Sequence, residues 1–145
     1  MACASDDLGE TKQSFDKAIT SAEFLQMKNK RVVMLLPKVG CTGCISSAET
    51  FMKDHAAVYP EDFGVILTDV VSLKTLRIKL GGELIDLDNV ALDTGNYFTS
   101  KQLKSLYPTL IYQRSGEITS IEYVSPEMPF ALDSLILRLT RWSGN

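Results

Sequence analysis

The sequence predicts an α/β fold, a three-layer sandwich with a central mixed sheet, helices on both faces and an extra helix at the N-terminus. Two buried-strand patterns, "RVVMLL" and "FGVILTDV", flank a segment of helical periodicity, which is the signature of a parallel β-α-β unit. Downstream, "TLIYQRSGEITSIEYV" alternates around Arg-Ser-Gly as a β-hairpin, and "SPEMPFALDSLILRLTRW" follows as a closing helix. A chain of 145 residues suits one domain of this kind and buries roughly two-thirds of its unfolded surface.

In chain order, residues 1–13 are polar and small and read as a flexible tether, and residues 14–145 as the domain. "SFDKAITSAEFLQMKNK", residues 14–30, spaces Phe15, Ile19, Ala22, Leu25 and, less strictly, Ala18 and Met27 as one amphipathic helix. After the first strand, Cys41 begins a helix with Ile45, Ala48, Phe51, Met52 and His55 on one side. "SLKTLRIKLGG" is a short helix stopped at Gly81, and "LDNVALDTGNYF" holds a short extended piece. "TSKQLKSLY" is expected as a helix capped by Thr99 or Ser100 and ended by Pro108.

Composition narrows the function. Eighteen acidic against fifteen basic residues give a net charge of −3 and no basic surface for nucleic acid. No apolar run reaches the roughly 18 residues of a membrane span. Three cysteines are too few for a stapled scaffold. Cys3, in "MACASDD", resembles the lipid-bearing cysteine of a bacterial lipoprotein; the plainer alternative is an incidental thiol near a terminus.

Cys41 and Cys44 carry the chemistry. A cysteine in the first turn of a helix faces unpaired N–H groups and the positive end of the dipole, so its thiolate is favoured and Cys41 reads as a nucleophile. Cys44, one turn further in, suits the resolving role. Thr42 and Gly43 supply no imidazole or fixed charge, and Gly40 and Gly43 leave room for a second polypeptide. A zinc site wants four ligands, and only His55 and Cys3 remain to join the pair, so no metal and no cofactor is expected. Two inert buried thiols remain the alternative. His55 lies about 16 Å along the helix axis from Cys44, too far to act as its base.

The chain resembles the thioredoxin-like superfamily over residues 14–142, through "VVMLLPKVGCTGC", "LYPTLIY" and the hairpin with its terminal helix. The resemblance implies thiol-disulfide exchange with protein disulfides or dithiols and a redox partner, by a monomer. It also implies a cis bond between Tyr107 and Pro108 beside the dithiol, with Tyr107, Pro108 and Thr109 docking a substrate backbone as an added strand. Thr42 and Gly43 would line the same groove. The chain departs from cytosolic thioredoxins in having Gly-Cys-Thr-Gly-Cys, and Leu35 where they carry a buried Asp. Its long insertion between the second strand and Pro108 is similar to that of extracytoplasmic, membrane-anchored bacterial members, which implies a place in the cell envelope or periplasm. A thioredoxin-fold binding module without redox turnover is the alternative. A peroxidase is disfavoured because Pro37 precedes Cys41 at the wrong spacing.

Overall fold

The computed structural model describes residues 2–20, 22–101 and 103–144, with the side chains of 2–8, 22 and 23 left out. The elements are α1 (Ala2–Ile19), a 3-10 helix (Ala22–Asn29), β1 (Val32–Leu36), α2 (Thr42–His55), β2 (Phe63–Leu67), α3 (Leu73–Leu80), α4 (Gly82–Ile85), β3 (Val90–Leu92), β4 (Thr109–Arg114), β5 (Glu117–Tyr123) and α5 (Ala131–Ser143).

The strands form one sheet in the order β3-β2-β1-β4-β5. β1 is central, parallel to β2 and antiparallel to β4, while β3 runs parallel to β2 and β5 antiparallel to β4. Because side chains alternate across a strand, β1 divides between two cores. Val32, Met34 and Leu36 join Ile45, Phe51 and Met52 of α2 and Leu135 and Leu139 of α5. Val33 and Leu35 join Phe15 and Ile19 of α1, Phe24 and Met27 of the 3-10 helix, and Phe98 and Leu103. These two apolar layers make the sheet the middle of an α/β/α sandwich, as expected. The hairpin also forms as read: Ser115 and Gly116, both at positive φ, make a two-residue turn whose twist matches the strands it joins.

Three expectations are corrected. The single helix over 14–30 is instead α1 followed by the 3-10 helix. Phe24 and Met27, three residues apart, take the buried positions, and Leu25 is half exposed. At the junction Thr20 Oγ1 donates to the Lys17 carbonyl and closes the end of α1. α1 also runs back through residues 2–13, a stretch with no proline and one glycine that can continue the helix. The expected helix over 99–107 is a single turn, closed by the N–H groups of Leu103 and Lys104 on the Ser100 carbonyl. Leu103 is its one buried leucine, and Ser105 Oγ accepts the Tyr107 N–H, a local bond that competes with helix. α3 meets its expected limits: Ser72 Oγ caps the N–H of Thr75, and Gly81 ends it at φ +93°.

Candidate functional site

β1 ends at Leu36 and the chain turns through Pro37 to Gly40 before α2 begins, which puts Cys41 at the C-terminal edge of the central strand. Cys41 is the N-cap of α2. Its backbone is extended (φ −68°, ψ 102°), and its Sγ accepts the backbone N–H of Cys44 at 3.3 Å. Sulfur here takes the place of the oxygen of an ordinary Ser or Asp cap, next to the positive end of the helix dipole. Cys41 and Cys44 are joined as a disulfide, with Cα atoms 5.2 Å apart. Both are half-buried; Cys44 packs against the core through α2, whereas Thr42 and Gly43 are exposed.

The segment before β4 closes the site. The Cys41 N–H donates to the Leu106 carbonyl at 2.8 Å. Gly40, at φ +154°, makes that approach possible, because a Cβ there would overlap the Leu106 carbonyl oxygen and lie 2.8 Å from its Cα. The neighbouring groups are also occupied. Tyr107 N–H donates to Ser105 Oγ at 3.1 Å, the Tyr107 carbonyl accepts Thr109 Oγ1 at 3.3 Å, and the Pro108 carbonyl accepts the Val124 N–H at 2.9 Å. Pro108 and Thr109 are buried, with Thr109 held in the sheet between Leu35 and Tyr123.

The expected cis bond is not formed: no peptide bond among the described residues is cis, and Tyr107–Pro108 is trans. A trans X–Pro bond is intrinsically favoured by about 0.5–1 kcal/mol. In the same segment the Leu106 carbonyl accepts the Cys41 N–H, which satisfies both groups. The backbone strip expected to receive a substrate strand is therefore paired internally.

Leu35 is buried among Phe98, Leu103 and Ile111 on the sheet face opposite α2, while the cluster that Cys44 packs against holds Leu36 and other apolar residues. The buried carboxylate nearest in sequence to this loop is Asp93, which is fully enclosed. Its Oδ1 and Oδ2 accept the N–H groups of Tyr97 and Phe98 at 2.8 Å each. This fixes the turn that sends Phe98 into its edge-on contact with Phe24 and starts the loop toward Leu106. Sequence reading missed Asp93, although an Asp ahead of Thr-Gly-Asn is a turn signal. His55 ends α2, stacked between Phe51 and Tyr59 with ring centroids 4.5 and 6.2 Å away, and takes no part in the site.

No protein-family model matches the chain. Nor does any curated protein match it significantly. Among solved structures it is similar, at TM-score 0.50, to a protein described as a thioredoxin from Neisseria meningitidis, with 19% identity over 81% of this chain and 79% of that one. It is similar at the same TM-score to a protein described as the thiol:disulfide interchange protein DsbE from Chlorobium tepidum, with 22% identity over 79% of this chain and 84% of that one. With a β-α-β unit, a returning hairpin and a terminal helix around one mixed sheet, the chain has a thioredoxin-like fold.

Proposed function

We propose that the chain is a thiol-disulfide oxidoreductase working through Cys41 and Cys44. The observation that carries this is the disulfide at the mouth of α2, in which Cys41 Sγ accepts the Cys44 N–H. After reduction the same N–H and the helix dipole stabilise a Cys41 thiolate.

In the oxidised chain, a partner thiolate attacks Cys41 Sγ. The Cys41–Cys44 bond breaks, a mixed disulfide forms on Cys41, and Cys44 leaves as a thiolate that takes up a proton. The partner's second thiol, losing its proton, attacks the partner sulfur of the mixed disulfide and releases Cys41 as a thiolate. Two electrons pass to the chain, which ends as a dithiol, and the partner ends as a disulfide. The reverse sequence reduces a partner: Cys41 attacks, and Cys44 resolves.

The test is the midpoint potential of the pair in glutathione buffers, followed by mass spectrometry of alkylated chain. A reversible two-electron couple supports exchange, and its value sets the direction. A disulfide that no dithiol reduces, or a dithiol that no glutathione disulfide oxidises, overturns it. A second reading, a binding module in which the disulfide merely clips α2, is favoured by the trans Tyr107–Pro108 bond and the paired strip beside it.

An envelope location, with Cys3 carrying a lipid, belongs to the same proposal and rests on the Met-Ala-Cys-Ala-Ser segment. The intact mass of native protein extracted from membranes tests it. An unmodified Cys3 in the soluble fraction overturns it.

A further inference from the structure

We propose that the end of the sheet opposite the dithiol holds a second site, an open cationic cleft that binds a multivalent phosphate group.

β1 runs from this cleft to the dithiol: Arg31 precedes its first residue, and Cys41 follows the loop after its last. The two sites therefore lie at opposite ends of one strand, and the second stands independently of the oxidoreductase reading. The cleft, about 920 Å³ in volume, is lined by Lys28, Lys30 and Arg31 where the 3-10 helix enters β1, by Arg114 at the β4–β5 turn and by Trp142 near the end of α5. Among the described residues no acidic side chain lines it.

The four cations are poorly neutralised. Arg31 alone has a carboxylate partner, Asp62 at 3.5 Å. Lys30 Nζ donates to the neutral Pro60 carbonyl at 2.6 Å and so keeps its full charge. Lys28 and Arg114 make no ion pair among the described residues, although Glu117 stands opposite Arg114 in the hairpin register. A chain whose net charge is −3 thus gathers like positive charges around one concavity, where their mutual repulsion is relieved by an anion placed among them.

One wall of the cleft is already set. The Arg31 guanidinium lies over the Trp142 ring at 5.3 Å, and the Tyr112 ring meets Trp142 edge-on at 6.4 Å. A single carboxylate would answer only one of the four cations. A chain of phosphates carries several charges in a short length, and its oxygens can take the planar forks of Arg31 and Arg114 and the point charges of the lysines together. Soluble polyphosphate esters and polyphosphorylated lipid headgroups share this chemistry.

Trp142 is the only tryptophan of the chain, so its fluorescence reads the cleft directly. Titration of the full, oxidised chain with sodium tripolyphosphate at low salt should give a saturable change that weakens as sodium chloride is added. Lys28→Gln combined with Arg114→Gln should weaken binding about tenfold and leave the midpoint potential of the dithiol unchanged. Lys53→Gln with Lys74→Gln, which removes two exposed charges outside the cleft, should change it less than about twofold. Citrate at equal ionic strength should bind about fivefold more weakly than tripolyphosphate. Vesicles of phosphatidylcholine with and without phosphatidylinositol bisphosphate separate the two sources. Retention on the phosphorylated vesicles, competed by tripolyphosphate and lost in the Lys28 and Arg114 double variant, supports the site with a lipid headgroup as its occupant. Tripolyphosphate binding without retention supports it with a soluble one. No saturable change, equal affinity for citrate, or equal weakening in the two double variants overturns the proposal, whereas a dithiol that fails to exchange overturns the oxidoreductase reading and leaves the cleft untouched.

Discussion

The backbone N–H of Cys41 donates to the carbonyl of Leu106 at 2.8 Å, a bond that joins residues 65 apart and ties the start of α2 to the loop entering β4. It fixes the orientation of the first turn of α2, and through it the N–H that Cys44 offers to Cys41 Sγ. Gly40 is the residue that allows the contact, through its positive φ and its missing Cβ.

Gly40→Ala should therefore cost about 1–3 kcal/mol, since the strained φ and the overlap with Leu106 both oppose the methyl group. Urea unfolding of the oxidised chain measures the loss. Gly43→Ala, where a Cβ meets open space on an ordinary helical backbone, should be neutral or slightly stabilising. Equal effects at the two glycines would show that the Leu106 contact does not constrain the loop.

In the reduced chain Cys41 should be the more acidic thiol, because it is the N-cap while Cys44 lies within the first turn and packs toward the core. Limited alkylation with iodoacetamide at mildly acidic pH, read by peptide mass mapping, should label Cys41 first. Preference for Cys44 would exchange the two roles.

Generic disulfides should be poor substrates. The cluster that Cys44 packs against is made of apolar residues and offers no carboxylate to take a proton from the resolving thiol, and the strip at residues 106–108 is internally paired. Insulin reduction driven by a dithiol should run well below that of an ordinary thioredoxin assayed alongside. Equal turnover would show that neither departure matters.

How far these features were legible depends on which atoms do the work. Cys41 and Cys44 stood out because their side chains carry the chemistry and their place between strand and helix follows from hydrophobic period. Leu106 did not, since its backbone carbonyl makes the contact and any residue has one. The isomer at Pro108 is not legible for a related reason: the motif "LYPTL" fixes residue types, while cis and trans differ by only about 0.5–1 kcal/mol before a proline, so the surrounding fold decides. The break between α1 and the 3-10 helix was hidden because both Leu25 and the pair Phe24 and Met27 fit an apolar stripe, and only packing on β1 and β2 decides between them.

Asp93 makes a sharper test of the loop. Its two oxygens satisfy buried N–H groups, so Asp93→Ala should destabilise the chain by about 2–4 kcal/mol, with the loss measured by thermal or urea unfolding. Peptide exchange should slow as well, because Phe98 anchors the segment that ends at Leu106. A loss of stability with unchanged exchange would separate the loop from the site.

Arg138 stacks over the ring of Tyr112 at 4.5 Å and approaches Glu122 at 3.4 Å. Burial pushes the Tyr112 phenol above its ordinary 10.0 and Glu122 adds to the rise, while Arg138 pulls it down without cancelling the effect. A raised acid keeps its proton in the folded chain after the unfolded chain has lost it. Its stabilising contribution is thus complete below about pH 10 and falls as the pH climbs from there through the folded value. Tyr112→Phe keeps the ring under Arg138 and removes the proton. Between pH 9 and 11 the wild type should lose more stability than the variant in parallel urea unfolding. Parallel losses would mean that the phenol ionises as freely in the folded chain as in the unfolded one.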